Sequence, residues 1–194
     1  MATKYRAEHI GSLLRPSDLL QARVSHSQGN TTPEQLRELE DKHILEALEM
    51  QRQVGLDVYS DGEFRRAWFA GAFEESTEGT VIDPDAPADN RGQGQNHEQA
   101  NATSADISLA LRVVGAKLKQ VRRLTAHESD FLKQHAPGPF KVTIPGVMTR
   151  GIAWYRPGLT DKFYPTRADL VQDMVGMVQR EVKALIDEGV SYIQ

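Results

Sequence analysis

The chain contains no cysteine. That absence excludes disulfides and any thiolate metal site built from these residues. No stretch approaches the roughly 18 consecutive apolar residues of a membrane span. Met1 to Arg15 lacks the apolar core of a signal peptide. Charge of one dominant sign is missing too: 23 Lys and Arg stand against 27 Asp and Glu, a net of −4 with a pI near 5.9. Nothing in that balance points to nucleic acid or an acidic membrane surface as a partner. No GxGxxG follows the first apolar stretch and no GxxxxGK[ST] occurs, so dinucleotide and P-loop readings have no support. What is present is 194 residues at 39% hydrophobic and 26% charged, enough for one good core. A soluble, cytoplasmic protein is the expectation.

The clearest element is "TTPEQLRELEDKHILEALEMQRQVG". Thr32 can cap it, Pro33 suits the first helical position and Gln35 completes a capping box. Leu36, Leu39, Ile44 and Leu48 mark one face at helical spacing, and Gly55 is a natural stop. A shorter helix is expected over Pro16 to Ser27. Another is expected in "TAHESDFLKQHAPG", with a Thr125–Glu128 capping box. The helix "TRADLVQDMVGMVQREVKALIDEG" carries Leu170, Met174, Met177, Val178, Val182 and Leu185 on one broad face, and Gly189 stops it.

Between the helices lie strand-like pieces: "YRAEHIGSLLRP", "LDVYS", "DISLALRVVGAKL", "FKVTIPG" and "VSYIQ". From Glu74 to about Thr103 the composition turns to Asp, Pro, Gly, Gln and Asn. That stretch, about 74–104, reads as a polar excursion or lid after the second strand. The alternation of strand and helix argues for a parallel α/β sheet in a single domain, 1–194. Its strands end in "HIGS", "SDGE" and "TIPG", and in parallel α/β folds that edge is where sites are built.

"SDGEFRR" admits two readings on local chemistry. Asp61 and Gly62 suit a tight turn, and Glu63 is then a solvated carboxylate. Alternatively Glu63 faces a substrate ammonium, where a charge-assisted hydrogen bond is strong. In "IGS", Gly11 permits close backbone approach to a ligand carboxylate, to which the Ser12 hydroxyl can donate. Arg15, Arg65 and Arg66 serve either an anionic ligand or the structure. His9 is either a pocket wall or a hydrogen-bonded structural histidine. His127 and His135 stand eight apart, not at the four-residue spacing of a metal pair, and His26, His43 and His97 are scattered, so no metal is expected among them.

Taken in order, "EHIGSLLRP", "VGLDVYSDGEFRRAWF", "KVTIPG" and "EVKALIDEGVSYIQ" resemble the cobalamin-independent methionine synthase family, closest to its short, single-barrel members. The resemblance implies a (β/α)8 barrel. Such barrels typically need about 250 residues, so this chain is expected to be the N-terminal half of one. It also implies methyl transfer from a methyl-folate to homocysteine held as a zinc thiolate. Ile10, Gly11, Ser12 and Glu63 would bind homocysteine, and Trp154 would lie in the folate site. His9, Arg15, Asp61 and Arg65 are further candidates for the pocket. The family's zinc ligands include cysteines that this chain lacks, and the Asp-Glu-Pro segment of the family would follow Gln194. Two other readings stand beside this one. The first is a non-catalytic half-barrel that associates through its open strand edge. The second is a related alkyl transferase acting on another thiol.

Overall fold

Pro33 opens a long amphipathic helix in the way its sequence predicts. The computed structural model describes residues 8–67, 71–83 and 112–194. Helix α1 spans Ser17–Ser27 and α2 spans Pro33–Gln53. At the start of α2 the Thr32 hydroxyl accepts from the Gln35 backbone N–H at 3.2 Å, and the Gln35 side chain accepts from the Thr32 N–H at 2.9 Å. Ile44, Ala47 and Leu48 are buried on the inner face. Gly55 follows the end of α2 at φ 78°, the left-handed position that glycine adopts without a Cβ penalty.

Helix α3 (Ala72–Ser76) leads directly into β1 (Thr77–Ile82), which pairs antiparallel with β2 (Arg112–Gln120). The start of the expected excursion is therefore ordered structure. Its Thr and Val residues are β-branched, and they find a partner in the "RVVGAKLKQ" strand. Residues 84–111, which include the remainder of that excursion and the start of the "DISLALRVVGAKL" segment, lie outside the described residues, as do Trp68 and Phe69.

Helix α4 spans Ala126–His135, as expected, but its capping box does not form. Thr125 makes no side-chain capping bond, and the Glu128 carboxylate is committed to Arg66 instead. A buried guanidinium offers a charged partner, which outweighs one backbone N–H. Helix α5 spans Val147–Ala153, a 3₁₀ turn follows at Thr160–Lys162, and α6 spans Arg167–Asp187. Thr166 and Asp169 form a reciprocal cap at the start of α6, with the Thr166 N–H donating to Asp169 at 2.8 Å and the Asp169 N–H to Thr166 at 3.2 Å.

The described chain divides into two compact units. The first comprises residues 1–69, 125–144 and 182–194. In it, four short segments run parallel in chain order, with bridges Glu8–Val58, Tyr59–Phe140 and Val142–Ile193. Their backbones exchange bonds such as Tyr59 N–H to Pro139 O at 2.9 Å and Gln194 N–H to Val142 O at 3.0 Å. Leu19, Ile44, Leu48, Tyr59, Phe64, Leu132, Val142, Leu185 and Val190 form its core. The second unit comprises residues 70–124 and 145–181 and holds the β1–β2 hairpin. It buries Phe73, Val114, Leu118, Trp154, Tyr164, Leu170, Met174 and Met177. Among the described residues no helix is long and apolar enough to cross a membrane.

Candidate functional site

Successive parallel segments of the first unit end in Ile10–Ser12, Asp61–Glu63 and Thr143. The tertiary fold ties these three ends together through one carboxylate. The Ser12 hydroxyl donates to Glu63 Oε2 at 2.5 Å, and the Thr143 hydroxyl donates to Glu63 Oε1 at 2.8 Å. Glu63 is only 5% exposed. The backbone reinforces the arrangement, since the Leu13 N–H donates to the Gly62 carbonyl at 3.1 Å.

Glu63 stands at φ 59°, among the described residues the non-glycine residue with positive φ. A bulky residue in the left-handed region costs about 1–3 kcal/mol and persists only where its surroundings impose it. Here Gly62 precedes it at φ 67°, and Asp61 accepts the Glu63 N–H at 2.9 Å. Asp61 thus forms the turn expected of it. Its other carboxylate oxygen is buried and has no hydrogen-bond partner among the described residues. Burial pushes the Asp61 carboxyl above its ordinary value, against the pull of Arg66 and the Glu63 N–H.

The three arginines take separate parts. Arg15 donates to the carbonyls of Glu63 and Arg66, each at 3.2 Å, and so braces the turn. Arg65 is buried, donates to Asp41 at 2.5 Å and lies 4.6 Å from the Phe131 ring centre. Burial, with Arg37 next, lowers its guanidinium pKa against the opposing pull of Asp41 and Glu40. Arg66 is fully buried. It grips Glu128 with two bonds at 2.6 and 2.5 Å, donates to the Thr143 carbonyl at 2.6 Å and stands 3.5 Å from Glu63 Oε1. Burial works against its charge, but Glu128, then Asp61 and Glu63, outweigh that and hold its pKa above the ordinary value.

Ile10 lies 73% exposed. Gly11 adopts φ 85°, and a Cβ there would meet nothing within 4 Å, so the backbone at this point faces open space. The His9 carbonyl accepts from Lys141, while its ring Nε2 is buried without a hydrogen-bond partner among the described residues. Lys141 also reaches Glu8 at 3.2 Å and Gln194 at 2.7 Å. Sequence reasoning missed Thr143 as a member of this group. Its place at the end of the third parallel segment, in register with Ser12 and Glu63, is the signal that could have found it.

Trp154 belongs to the second unit and is wholly buried there. It packs edge-on to Phe73 at 6.4 Å between ring centres, and Arg150 lies 5.6 Å from its ring. Its indole N–H has no hydrogen-bond partner among the described residues. Beside it Arg150 pairs with Glu74, both buried. Burial leads in pushing the Glu74 carboxyl up to about 7, opposed by Arg150. The stability contributed by neutral Glu74 is complete below its unfolded value of 4.5 and is lost as pH rises through about 7. Melting curves of Glu74→Gln and the parent should therefore diverge in favour of the variant between about pH 5 and about pH 7.5. A difference that stays constant across that window would contradict it.

Residues 6–194 match the family described as the cobalamin-independent synthase catalytic domain. The chain belongs to that family. It is 31% identical over 191 residues to YxjH of Bacillus subtilis, an uncharacterised protein, covering 98% of this chain and 47% of that one. It is 26% identical over 186 residues to the methionine synthase of Sulfolobus acidocaldarius, covering 95% and 49% of the two chains. Among solved structures it resembles a protein assigned as a vitamin-B12-independent methionine synthase in Listeria monocytogenes, at TM-score 0.66 and 24% identity over 98% of this chain and 51% of that one. It also resembles a B12-independent methionine synthase from a Shewanella species, solved with selenomethionine, at TM-score 0.64 and 20% identity over 85% and 43% of the chains. The α/β fold is thereby shown. This member of the family spans about half the length of the relatives it matches.

Proposed function

We propose that the chain supplies the amino-acid-binding part of a homocysteine S-methyltransferase, within the N-terminal half of a (β/α)8 barrel. The observation that carries this reading is the bond between Ser12 and Glu63, 51 residues apart in sequence. It joins the two segments whose resemblance implies homocysteine binding. A substrate ammonium at Glu63 would donate charge-assisted hydrogen bonds to a carboxylate whose orientation Thr143 and Ser12 already restrict. The unpartnered oxygen of Asp61 offers a further acceptor. The open backbone at Gly11 and the Ser12 hydroxyl suit the substrate carboxylate. Trp154 is assigned to methyl-folate through the resemblance alone.

Zinc is implied by the same resemblance, but these residues do not fit it. The chain has no cysteine, and among the described residues no three His, Asp or Glu side chains are grouped to hold a metal ion. The contribution derived for this chain is therefore binding and orientation of the amino acid.

Calorimetric titration with L-homocysteine tests the reading. The parent chain should bind saturably, and Glu63→Gln should weaken binding by at least about tenfold, or about 1.4 kcal/mol. Its melting temperature should move far less than its affinity. Unchanged affinity would remove Glu63 from the site, and a parent chain that does not bind would overturn the reading for this chain.

A further inference from the structure

Apart from the group around Glu63, the second unit carries a groove lined by Gln120, Val121, Arg122, Arg123, Arg180 and Glu181. Three guanidinium groups on one groove repel one another unless something holds them, and here each is held differently. Arg123 donates to Glu181 at 3.0 and 3.3 Å, and that carboxylate also accepts the Leu124 N–H at 3.0 Å. Arg122 donates to the Glu75 carboxylate at 2.8 Å and to its carbonyl at 2.9 Å. These two arginines therefore sit beside counter-ions. Arg180 does not: it donates to the neutral side-chain oxygen of Gln120 at 2.8 and 3.3 Å.

The local charge follows from those partners. Arg122 with Glu75 and Arg123 with Glu181 each sum to zero, so Arg180 leaves the groove with one positive charge. Holding a guanidinium by two of its five N–H groups fixes the plane of the fork and leaves further N–H donors on the same group. Arg122 and Arg180 are exposed and Arg123 is half-buried, so a ligand can reach all three. Fixed guanidinium donors on exposed residues, with net positive charge, form a receptor for an oxyanion, because the donors need little reordering when it arrives.

We infer that this groove binds a small oxyanion group, a phosphate or a carboxylate, through Arg122 and Arg180, with the half-buried Arg123 anchored to Glu181 beside them. The site is independent of the Glu63 reading, since its residues belong to the other unit. Its single net charge and its exposure make the affinity weak and salt-dependent.

Amide NMR of the intact chain tests the inference, with inorganic phosphate and succinate titrated separately at an ionic strength held constant with sodium chloride. The expected result is saturating shifts confined to Gln120–Leu124 and Arg180–Glu181 for at least one of the two. The tighter of the two identifies the chemical source. Arg180→Gln should weaken that binding by about fivefold or more, as should Arg122→Gln, whereas Lys183→Gln, a charge removed elsewhere, should leave it unchanged. Both arginines are exposed, and unchanged spectra away from the groove will show that the variants fold. Shifts that stay linear for both ions, or a fall in affinity matched by Lys183→Gln, would overturn the inference.

Discussion

Arg66→Ala is expected to destabilise the chain by about 3–5 kcal/mol, the cost of leaving one member of a buried ion pair behind. Arg66 and Glu128 are both almost wholly buried, and the guanidinium meets the carboxylate with two bonds. Removing Arg66 strands the Glu128 carboxylate without that bidentate counter-ion and takes the donor from the Thr143 carbonyl. The pair itself is a weaker contributor than this number suggests, because desolvating both ions offsets much of their attraction. The double variant Arg66→Met/Glu128→Met should therefore recover most of the loss. Urea unfolding of the parent, both single variants and the double variant checks this. A loss below about 1 kcal/mol for Arg66→Ala would mean that the pair is not buried as described. Glu63 lies 3.5 Å from the same guanidinium, so the variant also tests whether the candidate carboxylate keeps its place.

Trp154→Ala is expected to cost about 3–5 kcal/mol, the range for truncating a large buried aromatic and leaving its volume empty. The side chain is 0% exposed and stands edge-on to Phe73. Trp154→Phe should be far milder, about 1 to 2 kcal/mol, for two reasons. It keeps most of the ring. It also removes an indole N–H that forms no hydrogen bond among the described residues, so no partner is lost. Thermal and urea unfolding of the two variants give the comparison. Equal losses would show that the N–H has a partner after all. The same pair of variants separates packing from recognition, since a folate-stacking role predicts a loss of methyl-folate binding in Trp154→Phe that stability does not share.

Local chemistry was fully legible where the determinants lie within a few residues. The Thr32–Gln35 cap, the apolar face of α2 and the glycine stops at Gly55 and Gly189 follow from spacing and backbone preference alone. The Thr125–Glu128 cap was not, because Glu128 is claimed by Arg66, 62 residues away, and no local rule contains that competitor. The same limit separates the candidate site into two parts. "IGS" and "SDGE" could be picked out as strand-end chemistry, and their resemblance to the cobalamin-independent synthase family ordered them.

What the sequence by itself determined is the four longer helices α1, α2, α4 and α6, the alternating α/β class and the family, because periodicity and ordered motifs are properties of the chain alone. The short α3 and α5 carry too little periodicity to be read that way. Only the tertiary structure decided which side chains meet. It set Ser12 and Thr143 on one carboxylate, turned Glu63 into the left-handed region and made Arg66 a buried brace. It also put Arg122 and Arg180 on one groove with Gln120 as a neutral partner. Those contacts depend on which distant segments the fold makes neighbours, and burial then decides how much each charge counts.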